Sequence, residues 1–580
     1  MKLSELCSCL KERQSYDFVE KEVYGITHNS QKVKGGYVFV AIKGHKLDGH
    51  DFVVDAVGKD AAALVVGKRI EITPRIPQII VPNTRKALAF LSNHFYGEPS
   101  SKMTVIGITG TNGKTTTSYL TKSIIEASGK KTGLIGTIQY QIGNRVIPAQ
   151  ETTPESVEIQ SYLSEMLKSD IKHAVIEASS HALSQHRLDG VCFSSAIFTN
   201  LSIEHLDYHE NIKNYRTEKL KLVKGLGKDA FAILNADHND SKHFAECTKS
   251  QVVWYGIKRK KADVTAEIIN MNADTTQFLL NSPWGKTIIN LNLVGKHNVY
   301  NALAAATNGL ALGFKIDTIK TGIESLSGVP GRLEKIDYGQ DFHIYIDFAH
   351  THQALQTILS TIRATTTGRI ILVFGCGGDR DRKKRPKMGH IAEKYSDLFW
   401  VTSDNPRSED PLKIIHEIQK GIKKNVSCRV QPDRKIAIEE AIMEAKKGDA
   451  VVIAGKGHEQ YQILKNTVIP FDDREVVKQA LQNTMALHTV NKVMSKLLRG
   501  VIMGKTINHL YKAEQKIFLP HLFIAAKTSS VPFSIYNKIN NWFSTFSDFI
   551  ECPSFYEGEI TNTSGFENKI LYINKIKQLW

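Results

Sequence analysis

The sequence predicts an α/β protein of three or four domains. Its 580 residues provide enough chain for that many hydrophobic cores. From Met103 to about Ser327, apolar runs of strand length alternate with helical patterns, which is typical of a largely parallel, doubly wound sheet. A second block of the same kind follows Arg332. Because ligands of such sheets bind beyond the carboxyl ends of the strands, the residues that follow each predicted strand are candidate site residues.

Composition and charge predict a cytoplasmic protein with no transmembrane segment and no nucleic-acid partner. Hydrophobic residues make up 42% of the chain and charged residues 23%, as in soluble globular proteins. The net charge of +16 is spread along the chain rather than gathered in basic runs, which suits an enzyme with polyanionic substrates. The seven cysteines lack zinc-site spacing and fit a reducing compartment. No signal peptide or apolar run of the roughly 20 residues needed to span a membrane is present.

The first segment, to about Pro99, is predicted to be a small α/β domain. It contains a strand from Tyr37 to Ile42, a helix from Phe52 to Val57 and a strand from Ala62 to Val66. Ser30 lies in a polar turn before them, and by itself this position indicates only turn chemistry. A linker at residues 97–100 ends the segment.

A glycine-rich turn after the strand from Met103 to Ile108 predicts a phosphate-binding loop. Backbone N–H groups of such a turn, together with the positive end of the following helix, cradle phosphate oxygens. Lys114 is expected to reach the β- and γ-phosphates, and the Thr115 hydroxyl to help hold Mg²⁺. Ile108 stands where a strict P-loop has its first glycine. An ordinary strand–turn–helix corner is the alternative, which Gly-Lys-Thr-Thr directly after a strand disfavours.

Two further strand ends of the middle block carry polar groups. Glu177 ends one predicted strand, and His205 lies in the loop after the next. A carboxylate and an imidazole at one sheet edge could share a hard cation with phosphates, although a polar loop is the simpler interpretation of His205 alone. Lys219 lies on the following helix, where the residues alone do not distinguish it from Lys221.

The last block presents mixed charge at three strand ends. Arg380 follows one strand, Asp404 and Arg407 follow the next, and Glu459 follows the last. These side chains could be ordinary surface ion pairs. If they converge at one sheet edge, cations and anions side by side would suit a zwitterionic ligand, which predicts an amino-acid site.

Taken together, these motifs resemble the Mur ligases, and among them the enzymes that add diaminopimelate. The matching motifs begin at Gly107, Glu151, Glu177, Gly295, Pro330, Gly375, Asp404 and Gly455. The resemblance extends from Tyr24 to Thr484. It implies a small N-terminal α/β domain (1–99) that binds the UDP substrate and a central P-loop ATPase-like sheet (100–328) that binds ATP. It also implies a C-terminal Rossmann-like domain (329–484) that binds the amino acid.

The resemblance also implies a role for each matching residue. The resemblance assigns ATP binding to Thr109, Gly110, Thr111, Asn112, Gly113, Lys114, Thr115, Asn298, Arg332 and Asp347. It assigns binding of the UDP-muramoyl-dipeptide to Ser30, Thr152, Thr153, Ser179, Gln185 and Arg187. It assigns binding of diaminopimelate to Arg380, Asp404, Asn405, Pro406, Arg407, Gly455 and Glu459. It assigns binding of Mg²⁺ to Thr115, Glu177, His205 and Lys219, of which Lys219 would be carbamylated. The implied catalytic residues are Lys114, Glu177, His205 and Lys219.

The implied reaction joins meso-2,6-diaminopimelate to the D-glutamate of UDP-N-acetylmuramoyl-L-alanyl-D-glutamate, with ATP, Mg²⁺ and an acyl phosphate. Arg407 suits the distal carboxylate of diaminopimelate, which lysine lacks. A same-fold ligase with another acceptor, either lysine-adding or folylpolyglutamate synthase-like, remains an alternative. A P-loop nucleotide switch or nucleic-acid motor is the alternative from a different class.

Several positions depart from the family pattern. Asn29 and Gln31 flank Ser30 where Asp and Arg are usual, and Glu204 replaces the usual Asp before His205. None of these changes removes a charge that the chemistry requires.

The segment from Met485 to Trp580 lies outside the resemblance. It is aromatic and basic and includes a helical-looking stretch. Packing on the ligase body, a partner contact or a membrane-surface helix are its possible roles.

Overall fold

The computed structural model describes residues 1–484 apart from 45–46, 203, 260, 424–426 and 466. The predicted extension, residues 485–580, lies outside the described residues. The chain divides into two compact units, one of residues 1–334 with 347–367, the other of residues 335–346 with the chain from 368 onward. Within the described ranges, no helix combines the length and apolar character needed to cross a membrane.

The first unit begins with a five-stranded sheet in the order β1-β5-β4-β3-β2. Its strands are Gln14–Tyr16 (β1), Gly25–Thr27 (β2), Tyr37–Val40 (β3), Ala63–Val66 (β4) and Gln78–Ile80 (β5). Its helices are Leu3–Cys7 (α1), Val53–Gly58 (α2) and Thr84–Phe95 (α3). The central strands β3 and β4 are continuous apolar runs because helices cover both faces of a mostly parallel sheet.

An eleven-stranded sheet follows, in the order β16-β15-β14-β13-β12-β11-β6-β10-β7-β8-β9. Its strands are Thr104–Thr109 (β6), Thr132–Ile135 (β7), Gln139–Ile142 (β8), Arg145–Pro148 (β9), His173–Glu177 (β10), Ser195–Phe198 (β11), Phe231–Asn235 (β12), Gln251–Gly256 (β13), Val264–Met271 (β14), Thr276–Ser282 (β15) and Gly285–Leu291 (β16). Its helices are Lys114–Ala127 (α4), Ser156–Lys168 (α5), Ser180–Ser184 (α6), Leu206–His209 (α7), Ile212–Lys224 (α8), Ser241–Cys247 (α9), Lys296–Ala311 (α10) and Ile316–Ser325 (α11). Helix α12, His352–Thr365, completes the first unit.

The central strand β6 positions the site. Its neighbours β10 and β11 run parallel to it, so their carboxyl ends lie at the same edge of the sheet. Helix α4 packs on β6, and α10 packs on α4, through a core of buried aliphatic side chains that includes Ile106, Ile108, Leu120 and Leu303. The residues that follow β6, β10 and β11 are therefore held close together on a rigid support.

The second unit has a six-stranded sheet in the order β17-β18-β22-β19-β20-β21, and a two-stranded ribbon, β23-β24. The strands are Glu334–Ile336 (β17), His343–Asp347 (β18), Ile370–Phe374 (β19), Leu398–Val401 (β20), Ser427–Val430 (β21), Ala450–Ala454 (β22), Tyr461–Leu464 (β23) and Thr467–Pro470 (β24). The helices are Lys384–Tyr395 (α13), Pro411–Gln419 (α14) and Arg434–Glu444 (α15). Strands β20, β19 and β22 run parallel, with a fully buried Trp400 in the core.

Candidate active site

The turn after β6 has the geometry of a phosphate-binding loop. Gly110 has φ +147° and Gly113 has φ +86°, conformations that residues with a Cβ adopt only under strain. A Cβ on Gly110 would overlap the Thr199 hydroxyl, and one on Gly113 would overlap the Asn301 side chain. Helix α4 then begins at Lys114, so its free backbone N–H groups face the turn.

Two lysines converge on one backbone carbonyl of this loop. Lys114 Nζ lies 3.0 Å from Gly110 O and 2.9 Å from Thr111 O. Lys219 Nζ lies 2.8 Å from Gly110 O, and its side chain is 1% exposed. Burial lowers the pKa of Lys219 well below its ordinary value, and the Lys114 ammonium lowers it further, while Glu204 acts in the opposite direction. Burial also lowers the pKa of Lys114. The two lysine side chains make this loop a suitable binding site for an anion.

Glu177, at the end of β10, is fully buried beside the start of α4. The Thr115 hydroxyl donates to Glu177 Oε2 at 2.9 Å, and Thr137 donates to the same oxygen from its hydroxyl at 2.8 Å. The Arg332 guanidinium donates to Thr115 Oγ1 at 3.2 Å. These contacts fix a carboxylate and a hydroxyl next to each other at the phosphate loop.

The loop after β11 carries Glu204 and His205. Glu204 lies 3.6 Å from His350 Nε2 and 3.9 Å from His205 Nε2. Burial opposes ionisation of Glu204, but the hydrogen bond from His350 and the charges of His205, His350 and Lys114 outweigh it and lower its pKa to about 2. His205 itself is 41% exposed. Among the described residues, no three His, Cys, Asp or Glu side chains are arranged to hold a metal ion by themselves.

A cavity of about 570 Å³ opens on one side of the phosphate loop. Its walls include the predicted ATP residues Asn112, Gly113, Asn298, Arg332 and Asp347. The Arg332 guanidinium stacks 4.8 Å from the Phe348 ring centroid, and Asp347 accepts from Leu333 N at 2.6 Å and Ala349 N at 2.7 Å. Burial raises the pKa of Asp347. The cavity therefore offers polar groups and an aromatic face beside the loop.

A second cavity, of about 330 Å³, is lined by Lys114. It brings together predicted catalytic and predicted dipeptide-binding residues. Its lining comprises Lys114, Glu151, Thr152, Thr153, Ser179, Ser180, His181, Gln185, Arg187, His205, Tyr215 and Lys219. Lysine and arginine side chains dominate the charge, so the cavity suits an anionic ligand.

Arg187 is anchored at the floor of this second cavity. It donates to Thr153 O at 2.7 Å and to Gln185 Oε1 at 2.9 Å, and its Nε lies 3.0 Å from Glu155 Oε1. Arg85, on α3, lies 3.6 Å from the same Glu155 oxygen. Burial lowers the pKa of Arg187 to about 10, and Arg85 contributes in the same direction. Arg187 also donates to Glu151 Oε2, so Arg85 and Arg187 are matched by the two carboxylates of Glu151 and Glu155.

Ser30 lies apart from these residues. It is buried at the start of a short 3-10 helix, Ser30–Lys32, which the Asn29 side chain caps by accepting from Gln31 N at 2.9 Å. Lys59 Nζ donates to Ser30 O at 2.9 Å. Ser30 does not line either of the two cavities.

In the second unit, the predicted amino-acid residues follow β19, β20 and β22. Gly455 has φ +116°, and a Cβ there would lie 2.6 Å from Asp404 Oδ2. Pro406 is buried with its carbonyl packed against Gly378. The glycines and the proline keep the backbones of these three loops in close contact.

The charged groups of these loops contact one another. Asn405 Nδ2 donates to Glu459 Oε2 at 2.8 Å, and Arg407 Nη1 donates to Gly378 O at 2.8 Å. Burial lowers the pKa of Arg407, and Arg380 lowers it further, while Asp404 and Glu459 act in the opposite direction. Cations and carboxylates thus lie near one another at this sheet edge, as a zwitterionic ligand requires.

Comparison with known proteins identifies the family. The Mur ligase family catalytic domain matches residues 22–96, the Mur ligase middle domain matches 108–309, and the Mur ligase glutamate ligase domain matches 331–457. A UDP-N-acetylmuramoyl-L-alanyl-D-glutamate–2,6-diaminopimelate ligase of Bacillus velezensis is 43% identical over 488 residues, which are 83% of this chain and 99% of the relative. The chain belongs to the Mur ligase family.

A second relative with the same name, from Caldanaerobacter subterraneus, is 44% identical over 461 residues, 79% of this Mur ligase and 95% of the relative. The solved structure of a further UDP-N-acetylmuramoyl-L-alanyl-D-glutamate–2,6-diaminopimelate ligase superposes with a TM-score of 0.59 at 30% identity. It covers 80% of this chain and 95% of that chain. The predicted three-domain Mur ligase fold is confirmed, whereas the predicted domain boundaries and the individual site residues remain predictions.

Sequence reasoning missed several residues of this Mur ligase site. Thr137 holds the Glu177 carboxylate, and Arg85 and Glu155 support Arg187. Glu155 lies in the Glu-Thr-Thr-Pro-Glu motif that begins at Glu151, so the motif itself contained the signal. Lys456 Nζ lies 3.0 Å from Glu459 Oε2, and Lys456 is likewise part of a matched motif, Gly-Lys-Gly-His-Glu from Gly455. Thr137 and Arg85 meet the site only through folding and had no signal in the sequence.

Proposed function

We propose that this Mur ligase is the ATP-dependent amide ligase that adds meso-2,6-diaminopimelate to UDP-N-acetylmuramoyl-L-alanyl-D-glutamate. One observation carries the proposal. Lys114 belongs to the phosphate loop and also lines the second cavity, together with Thr152, Ser179, Arg187 and Lys219. A γ-phosphate in the loop and a carboxylate in the cavity would therefore both be within reach of a single cation. The names of the relatives in Bacillus velezensis and Caldanaerobacter subterraneus support the same substrates.

The reaction then proceeds in two displacements. The D-glutamate side-chain carboxylate attacks the γ-phosphorus of ATP, the bond to the β-phosphate oxygen breaks, and ADP leaves behind an acyl phosphate. The amino group of diaminopimelate attacks the acyl carbon, loses a proton, and expels inorganic phosphate as the amide forms. Lys114 offsets the charge on the transferred phosphoryl group, while Arg187 orients the UDP-muramoyl-dipeptide. Catalysis is thus mainly positioning and electrostatics.

Thr115 and Glu177 are the residues that would hold Mg²⁺. They fit a hard cation because a buried carboxylate and a hydroxyl lie 2.9 Å apart at the phosphate loop, and oxygen ligands are those that Mg²⁺ prefers. His205, which lines the second cavity, is the remaining unmodified candidate. When bound, Mg²⁺ would reduce the negative charge that opposes attack on the phosphate.

We further propose that Lys219 acts as a carbamate. Two ammonium groups bound to the same Gly110 carbonyl repel one another, and Lys219 is fully enclosed. Reaction of the unprotonated amine with CO₂ forms a carbamate and releases a proton. This change would place an anion in the cavity that Lys114 and His205 also line.

The second unit supplies the amino-acid selectivity in this proposal. Arg407 would bind the distal carboxylate of diaminopimelate, and Glu459 with Asp404 would bind ammonium groups. With lysine as the acceptor, the half-buried Arg407 would keep its bond to Gly378 O but would gain no carboxylate partner for its charge. Diaminopimelate is therefore preferred over lysine. Because its substrates are ATP and a UDP-linked precursor, we assign the reaction to the cytosol.

ATP turnover distinguishes this function from its competitors. Phosphate release should require both UDP-N-acetylmuramoyl-L-alanyl-D-glutamate and diaminopimelate, with either alone giving background. A folylpolyglutamate synthase-like enzyme would instead respond to a folate and glutamate. Turnover that DNA or RNA stimulates, without the two substrates, would overturn the proposal in favour of a nucleic-acid motor.

A further inference from the structure

Lys456 occupies an unusual position for a lysine. It lies two residues after the end of β22, between Gly455, with φ +116°, and Gly457, with φ +55°. These turns fold the side chain inward, and Lys456 has no exposed surface. Lysine is almost never fully buried unless its ammonium group is paired. The partners of Lys456 therefore indicate why it is buried.

Those partners are two of the predicted diaminopimelate residues. Lys456 Nζ lies 3.0 Å from Glu459 Oε2 and 3.2 Å from Asn405 Oδ1. Asn405 Nδ2 donates to the same Glu459 oxygen at 2.8 Å. The three side chains form a closed triangle of hydrogen bonds. Ile463 N adds a fourth hydrogen bond, at 3.0 Å from Asn405 Oδ1.

This triangle fixes the orientation of both binding groups. Two donors, Lys456 Nζ and Ile463 N, point at Asn405 Oδ1, so its amide cannot rotate without losing both bonds. Both of these contacts of Glu459 use Oε2, so neither of them occupies Oε1. The ammonium of Lys456 also stabilises the negative charge of Glu459, whose Oε1 can bind a second ammonium group.

We propose that Lys456 is a positioning residue for the incoming amino acid. It holds Asn405 and Glu459 in the arrangement that binds an ammonium group of diaminopimelate, without itself contacting the reacting atoms. The inference rests on the proposed function, and it extends the predicted set of diaminopimelate residues by one that acts through two others. It concerns affinity for one substrate rather than the chemical steps.

The test compares K456M, which keeps the length of the side chain but removes its charge, with the wild-type enzyme. The KM for diaminopimelate should rise about tenfold or more, because Glu459 loses its charged partner. The kcat at saturating diaminopimelate and the KM values for ATP and the UDP-dipeptide should stay within about threefold of wild type. K456Q, which retains a donor for Asn405 but no charge, should give a smaller rise. K447M, at an exposed lysine of the same unit, serves as the control.

The outcomes separate this inference from the proposed function. Product formation by the wild-type enzyme tests the function, whereas only the variants test the role of Lys456. An unchanged KM for diaminopimelate in K456M would overturn the inference, and so would an equal rise in the KM of all three substrates. If thermal unfolding shows that K456M does not fold, K456Q decides the question by the same criterion.

Discussion

At the scale of single residues, the proposed role of Lys219 follows from its burial and from its neighbours. Its ammonium shares the Gly110 carbonyl with Lys114 and lies 4.6 Å from the Tyr215 ring centroid. From the sequence alone Lys219 could not be told from Lys221, whereas the structure buries the first and leaves the second at the surface, paired with Glu218. Burial is the property that makes a carbamate at Lys219 worth testing.

The substitution Lys219→Ala should reduce kcat by about a hundredfold or more, because the cavity loses the proposed anionic support for Mg²⁺. Added acetate or another short carboxylic acid should restore part of the activity by occupying the vacated space. Lys221→Ala should change kcat by less than about twofold, because a surface ion pair contributes little. Steady-state phosphate release measures both variants. Full activity of Lys219→Ala would contradict the carbamate role.

Arg407 provides a second test at the same scale. Arg407→Ala should raise the KM for diaminopimelate by about tenfold or more and leave the KM for ATP unchanged, because a charged hydrogen-bond partner of the distal carboxylate is lost. Arg429→Ala serves as a control in the same unit, since Arg429 is half-exposed and pairs with Glu444. Equal kinetics for Arg407→Ala and wild type would remove Arg407 from the site.

At the scale of elements, the turn between β6 and α4 is the proposed binding site for the phosphates of ATP. The structure requires glycine at position 110 for two separate reasons, the positive φ and the proximity of Thr199. The Gly-x-x-Gly-Thr-Asn-Gly-Lys-Thr pattern predicted this turn because few other local structures need those glycines.

Gly110→Ala should abolish ATP binding and lower the thermal stability of the enzyme, because the new methyl group would displace the loop from Thr199. Gly129→Ala is the matched control. Gly129 also has a positive φ, +78°, but a Cβ at that position would meet no other atom within 4 Å. It should lose only about 1 kcal/mol of stability and retain nucleotide affinity. Calorimetry with ADP and thermal unfolding distinguish the two, and normal ADP affinity in Gly110→Ala would contradict the role of the loop.

Strands were predicted best where they are parallel and buried. The predicted strand from Ala62 to Val66 is Ala63–Val66 in the structure, and the predicted strand from Met103 to Ile108 is Thr104–Thr109. The antiparallel strands β14, β15 and β16 were not predicted, because they alternate buried and exposed residues and lack a continuous apolar run. The prediction of a largely parallel sheet was therefore correct for the central strands of the eleven-stranded sheet, but it left out strands at the edge.

At the scale of the whole molecule, the sequence predicted which residues could act but not all of their supports. Strand ends, glycines and charged motifs have local signatures, so the loop at Lys114 and the groups near Arg407 could be found in advance. Arg85 reaches the site from a helix about a hundred residues before Gln185, its hydrogen-bond partner. No local pattern encodes such a contact, because it exists only after the first two sheets have packed in one unit.

The central claim is that the enzyme joins a UDP-linked dipeptide to diaminopimelate at the expense of ATP. Incubation with ATP, Mg²⁺, UDP-N-acetylmuramoyl-L-alanyl-D-glutamate and a panel of amino acids, followed by mass spectrometry of the nucleotide product, tests it most directly. We expect a product heavier by one diaminopimelate residue, with little or none from lysine. A product formed equally well with lysine, or none with any member of the panel, would contradict the claim.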